Sequence, residues 1–294
     1  MIRTLPISRK AFIIFNYIFL IMVSLTCIFP IIHILAVSLS VNWAVEGGAV
    51  KLWPVGFTIK PYAFVLSESK FFTAFIIALK RVALGVFVNM LLTVMAAYPL
   101  SKSKKKFRMR EIYVTFFLIT ILFHGGLIPL YVTVYNTGLI DNIWALILPG
   151  AVPVFNIILL QNFFKELPNE IEEAAVIDGA GPWRTLWTLY VPLSKPALAT
   201  LVLFSGVGHW NSWLDGLIFM NRPEHYPLQS YLQTVVVQRN LKLSTSVDIS
   251  EFVNVSERNS KAAQIFIAML PILMFYPFLQ KYFTKGIILG SVKG

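Results

Sequence analysis

Six stretches of this chain are each long and apolar enough to cross a bilayer, and that repetition constrains the fold more than any motif does. A hydrocarbon core about 30 Å thick takes about 20 apolar residues of α-helix. The stretches run at about Phe12–Leu39, Phe71–Leu100, Ile112–Tyr135, Asn142–Phe164, Ala197–Met220 and Ala262–Phe283. Inside hydrocarbon every backbone N–H and C=O needs a partner within its own segment, a demand that helices meet and open sheets do not. The expected fold class is therefore all-α integral membrane: one transmembrane domain over residues 1–294, with six transmembrane helices and a cytoplasmic helix-turn-helix between helices 4 and 5. Composition agrees, since 57% of residues are hydrophobic and 13% charged, against roughly 25% charged in a soluble domain. Pro30, Pro129 and Pro271 fall inside the runs, where neighbouring helices or waters can satisfy the carbonyls they free.

Charge placement sets the topology. The net charge of +11 could suggest nucleic acid, but the basic residues sit in short segments between apolar runs rather than along one amphipathic face. With the amino terminus inside, the inner segments, above all Lys102 to Arg110, carry the excess of Lys and Arg, which places both termini in the cytoplasm. The first run follows Arg9 and Lys10 but is too long for a signal peptide, whose apolar stretch is roughly 7 to 15 residues, so it reads as a spanning helix. Cys27 is the single cysteine, which excludes a disulfide framework and a zinc site of several thiolates. Trp43, Trp53, Tyr135 and Tyr226 suit the membrane interface. Two outer loops, about Val41–Lys70 and Asn221–Lys261, and one inner segment, Lys165–Lys195, are long.

The inner segment carries the most specific pattern. Asn169 with Glu172 has the spacing of a capping box, acidic residues favour the start of a helix, and Gly179 suits its stop. Gly181 and Pro182 then open a second helical piece. The expected result is a helix-turn-helix knob on the cytoplasmic face.

Glu173-Ala174-Ala175, then Gly179, then Leu189-Tyr190-Val191-Pro192 resembles the EAA signature of ABC importer permeases. The resemblance implies that the knob seats in a groove on an ATPase subunit, through Glu172, Glu173, Ala174, Ala175, Asp178, Gly179, Leu189 and Pro192. Val191 stands where that family usually has leucine. Ala96-Ala97-Tyr98-Pro99-Leu100-Ser101, Phe123-His124-Gly125-Gly126-Leu127-Ile128-Pro129 and Gly208-His209-Trp210-Asn211-Ser212-Trp213 extend the likeness to nearly the whole chain. They are similar to oligosaccharide permeases of the maltose-type class (second permease), in the branch linked to uronate-containing saccharides such as alginate. Membership implies a bacterial cytoplasmic (inner) membrane, a homologous second permease, two ATPase subunits, an extracytoplasmic binding protein and an oligosaccharide substrate. It also implies that this chain binds no cofactor, ATP and magnesium belonging to the partner ATPase. The dipeptide Gly-Lys never occurs, so no Walker loop can form here, and neither a His-Glu-x-x-His pair nor a Gly-x-Ser-x-Gly turn is present. The chain reads as a pore-forming subunit rather than an enzyme.

Polar groups at membrane depth are costly unless they face a cavity or a partner. His209, Trp210, Asn211, Trp213 and Asp215 in helix 5, with Asn156 and Asn89, are the candidate pathway residues. Indole faces can stack on sugar rings while amides and imidazole bond hydroxyls; bonding to a neighbouring helix is the competing role. Lys80 and Arg81 lie within helix 2 and should snorkel, pair with acids of the partner permease, or face a wet cavity, where at least one would attract an acidic saccharide. His33 and His124 are expected to make packing hydrogen bonds rather than relay protons. An ion-coupled secondary transporter, which would call for repeats and midplane charges, and a permease for neutral oligosaccharides are the alternatives.

Overall fold

The computed structural model describes residues 7–237 and 257–291, with side chains described for 8–235 and 257–277. Residues 238–256 of the predicted third outer loop, and the extreme termini expected in the cytoplasm, lie outside the described residues. The helices are α1 (Ile7–Ser38), α2 (Asn42–Glu46), α3 (Lys60–Ser67), α4 (Ser69–Ser101), α5 (Arg110–Leu122), α6 (Leu127–Asn136), α7 (Val154–Glu166), α8 (Asn169–Ile177), α9 (Pro182–Thr185), α10 (Val191–Leu193), α11 (Lys195–Asn211), α12 (Leu214–Phe219), α13 (Leu228–Val237) and α14 (Glu257–Ser291).

Among the described residues, three helices, α1, α4 and α14, are by themselves long and apolar enough to cross a membrane. Three bent pairs reach that length only together, which gives up to six crossings if each pair is one span. The predicted third run breaks between α5 and α6 with a bend of 113°. Gly126 adopts φ +86° there, a conformation glycine reaches at little cost. Pro129 then falls in the first turn of α6, where its missing N–H is no loss. The fourth run starts as short 3-10 turns around Pro149 and bends by 49° into α7. The fifth stops at Asn211, two residues short of a separate helix α12.

The described residues form two compact units, one built from those up to Ser69 and from Thr234–Leu270, the other from Lys70–Gln233 and from Pro271 onward. In the first, Ala36, Ala44, Val45 and Val50 share a small core. Ser40 ties it together: its hydroxyl donates to Ala36 O and accepts from Val55 N, and its carbonyl accepts from Asn259. His33 bonds Lys51 O at 2.6 Å, a loop carbonyl rather than a helix neighbour. Most of α1 is exposed within the chain, which costs nothing in hydrocarbon.

The second unit holds the larger core: Val94, Ala97 and Leu100 of α4, Ile157, Leu160 and Phe164 of α7, Leu201 of α11, and Leu186 with Tyr190. The buried stripe of α4 runs Ala74, Ala78, Arg81, Gly85, Asn89, Thr93, Ala97, at the three-to-four residue spacing of one helix face. Small residues there let backbones approach, the usual route to packing where no water drives helices together. Gly85 shows how close: a Cβ at that position would lie 2.6 Å from Cε1 and 2.7 Å from Cδ2 of His209.

Replacing glycine by alanine in a helix gains up to about 1 kcal/mol, but overpacking against a tethered ring costs about 1–3 kcal/mol. Overlap should win. Gly85→Ala is expected to lower the melting temperature in detergent; an unchanged or raised value would show that the His209 ring yields freely.

Candidate functional site

A cavity of about 480 Å³ opens in the second unit, with a cluster of polar side chains set in a largely apolar wall made by α4, α7, α11, the turns around Pro149 and the start of α12. Arg81 is only 2% exposed. Its guanidinium makes two bonds to the Asp215 carboxylate, one of them Nη1 to Oδ1 at 3.2 Å, and Nη1 also donates to Ser212 O at 3.2 Å. Asp215 Oδ1 accepts further from Ser212 Oγ at 2.8 Å and from Gly216 N at 2.9 Å. Asp215 sits in the first turn of α12, the end of a helix that favours a negative charge. The break at Ser212 and Trp213 thus exposes a carbonyl and a helix start, and both are consumed by the ion pair. Removing one partner of such a buried pair costs about 3–5 kcal/mol, because the other charge is left uncompensated.

A second network lies one helical step away. Asn89 Nδ2 donates to Gly150 O at 2.8 Å, so its Oδ1 faces His209 Nε2 at 2.7 Å and accepts from it. Nε2 therefore carries a proton whatever the state of the other ring nitrogen. Asn156 Nδ2 donates to Ser205 Oγ at 3.1 Å. The cavity offers short hydroxyl- and amide-type partners on fixed side chains, a chemistry suited to sugar hydroxyls.

The predicted pathway residues divide. Arg81, Asn89, Asn156 and His209 line this cavity, together with Asp215. Lys80 is exposed on another face of α4. Trp210 is buried edge-on against Phe75, with centroids 5.8 Å apart, and borders an apolar cleft instead. Asn211 and Trp213 are exposed at the end of α11 and do not line the cavity. His124 is exposed at the α5–α6 break. Ser205, Ser212 and the Gly150 carbonyl carry no sequence signal, being ordinary in apolar helices and turns.

At the other end of α4, the knob forms much as expected. Gly179 adopts φ +75°; its N–H reaches Val176 O at 3.0 Å and that of Ala180 reaches Ala175 O at 2.8 Å, the paired bonds of a Schellman stop. Pro182 opens α9, and the chain widens into a π-helical turn over Leu186–Tyr190 ahead of Pro192, which has no N–H for the carbonyl four residues back. Val176, Ile177 and Trp183 project as an exposed apolar patch beside Glu173, Ala174, Asp178 and Gly179, while Ala175 turns inward, Leu189 packs on the core and Pro192 is exposed.

The predicted capping box does not form. Asn169 is the first helical residue, without a side-chain cap at Pro168, and Glu172 looks inward. Its Oε2 accepts from Tyr190 OH at 3.0 Å, while Oε1 lies 3.0 Å from Lys102 Nζ and 3.3 Å from Lys106 Nζ. Charged donors outbid a backbone N–H for a carboxylate. The Lys102 ammonium is 3.9 Å from the Tyr98 ring centroid and 4.0 Å from that of Tyr190, each such contact giving about 0.5–2 kcal/mol. Sequence reasoning treated Lys102 as one of a run of topology cations and assigned neither tyrosine a role.

Burial alone would push the Glu172 carboxyl up, but Lys102, Tyr190 and Lys106 outweigh it and hold its pKa below the ordinary value. A depressed carboxylate contributes stability above its unfolded-state pKa and loses it as pH falls through the folded one. The stability gap between wild type and Glu172→Gln is therefore expected to be full at about pH 7 and to shrink below about pH 4. Thermal melts across that range would check it, and a gap independent of pH would exclude an ionised Glu172.

The profile of the family described as "Binding-protein-dependent transport system inner membrane component" matches residues 70–289. The chain is 38% identical over 287 residues to Protein LplC of Bacillus subtilis (strain 168), covering 98% of this chain and 96% of that protein. It is 35% identical over 290 residues to the polygalacturonan/rhamnogalacturonan transport system permease protein YtcP of the same strain, covering 98% and 100%. A chain from the crystal structure of a bacterial ABC transporter involved in the import of the acidic polysaccharide alginate superposes with a TM-score of 0.88 at 32% identity, covering 95% of this chain and 99% of that one. The chain with its broken apolar helices and membrane-depth polar cavity belongs to the family of inner-membrane components of binding-protein-dependent transport systems, and is a multi-pass permease subunit rather than an enzyme.

Proposed function

We propose that this permease forms half of the pathway of an ATP-driven ABC importer for uronate-containing oligosaccharides, working by alternating access. The observation that carries the reading is the polar cavity, where hydroxyl partners on Asn89, Asn156, Ser205 and His209 surround an arginine held by an exchangeable carboxylate. A uronate carboxylate can displace Asp215 from Arg81 without leaving the guanidinium bare, since carboxylate is replaced by carboxylate. The relatives' named substrates, polygalacturonan, rhamnogalacturonan and alginate, support the same class.

The complex would hold this chain, a homologous second permease, two ATPase subunits and an extracytoplasmic binding protein, with both termini of this chain in the cytoplasm. ATP and magnesium would be bound by the ATPases and not here. Closure of the ATPase pair would pull on the exposed patch around Glu173, Ala174, Asp178 and Gly179 and rock the helices that wall the cavity. One feature favours a second reading, a permease for neutral oligosaccharides: Asp215 already cancels the charge of Arg81, and Lys80 lies outside the cavity.

ATP-dependent uptake of defined uronate and neutral oligosaccharides into proteoliposomes holding the whole complex separates the two. The double variant Arg81→Gln/Asp215→Asn leaves no unpaired charge, and it is expected to lower uronate uptake about tenfold, roughly 1.4 kcal/mol, with neutral uptake little changed. Lys80→Gln should spare both. Equal loss of both classes would remove the role of Arg81, and wild-type uptake of neutral sugars alone would discard the acidic substrate. Gly179→Asp, at a φ of +75° that strains any side chain even though a Cβ would meet nothing within 4 Å, should abolish uptake by disturbing the turn and with it the docking surface.

A further inference from the structure

We propose that Lys102 is a positioning residue that passes movement of the knob helix α8 to α4 and thereby to the polar cavity, an inference that rests on the coupling role proposed above. Three pieces of chain separated in sequence meet at its ammonium. Tyr98 belongs to the last turn of α4 and Lys102 follows directly on its final residue, Glu172 lies in α8, and Tyr190 in the π-helical turn. The three side chains also bind one another, since Tyr190 OH donates to Glu172 and the two rings meet edge-on with centroids 5.0 Å apart. The contacts close on one another as a clamp, and α8 cannot shift without breaking them or taking the end of α4 along.

What lies beside the clamp decides how force travels. Beyond the apolar core that joins α4 to α7, a polar cavity of about 470 Å³ lies beside the clamp, bordered by Lys102, Lys106, Lys165, Asn169 and Glu172. Close-packed apolar side chains resist displacement collectively, but an open polar space transmits nothing. The contact of α8 with α4 beside this space runs through the ammonium and its carboxylate. On the far side of the clamp α4 is continuous back to Asn89 and Arg81, and the run from Ser101 to Asn89 spans about 18 Å at 1.5 Å per residue. Pro99 removes one backbone bond from the last turn of α4, so this end of the rod takes its stiffness from side chains, of which Tyr98 and Lys102 are two.

Lys106 supplies the internal comparison. Its Nζ lies 3.3 Å from the same Glu172 oxygen, but its side chain is half exposed. It adds charge without joining the rings.

The test measures sugar delivered per ATP hydrolysed by the reconstituted complex. Lys102→Met, which keeps the length and apolar bulk of the side chain, is expected to lower that ratio about tenfold, the size of a typical coupling term, while the ATPases still co-purify, which shows that the complex assembles. Lys102→Arg should restore the ratio, and Lys106→Met should change it less than about twofold. An unchanged ratio in Lys102→Met would overturn the proposal, as would loss of ATPase co-purification, since Lys102 would then serve docking rather than transmission. If Gly179→Asp uncouples transport and Lys102→Met does not, the strut alone is wrong; if wild-type uptake needs no ATP, the coupling role falls and the strut with it.

Discussion

A guanidinium buried in an apolar helix bundle has to be neutralised where it stands, and much of the local architecture around Arg81 follows from that demand. The partner is Asp215, which can reach Arg81 because the fifth apolar run stops at Asn211 and restarts at Leu214. The same break frees the Ser212 carbonyl, and Arg81 takes it. An unbroken helix through residues 197–220 would have kept that carbonyl in its own ladder, and the ion pair would have lost one of its supports. Discontinuous helices at membrane depth are tolerated where the freed groups line a cavity or meet protein, and here they meet a charge pair at the cavity wall.

The middle of α4 and the residue just past its last turn solve one problem in different ways. Toward the cavity, its buried face carries Arg81, Gly85 and Asn89, with Gly85 clearing the space in which His209 reaches Asn89. Toward the knob, Lys102 is stabilised by two aromatic faces and a carboxylate rather than by water. In both places an ionised side chain is retained at a cost in desolvation that hydrogen bonds and opposite charge offset. A helix held by one charge pair near mid-length and by another just past its end suits a chain that must move as rigid pieces between two arrangements.

Legibility in the sequence followed the physics of each feature. Apolar run length is a sum over 20 or so residues, so the apolar segments could be placed, but their breaks could not, because a glycine pair or a proline can either bend a helix or be absorbed by it. Gly179 as a helix stop was readable from local rules, and the Schellman bonds realise it. The capping box at Asn169 and Glu172 failed on equally sound local rules, because a non-local ammonium and phenol compete for the same carboxylate. Trp210 and Asn211 are sugar-contact candidates by residue type alone; the first is buried against Phe75, and the second is exposed and does not line the cavity.

What the sequence by itself determined was the membrane as solvent, the apolar runs, the signature segment Glu173–Pro192 and the lack of any apparatus for bond chemistry. These depend on composition and on spacing within a few turns. Only the tertiary structure decided which polar side chains share a cavity, that Arg81 is already paired, and that Glu172 faces inward to Lys102 rather than outward to a partner. Those outcomes depend on contacts across as many as 134 positions of chain, and nothing local can state which of several carboxylates a buried cation will meet.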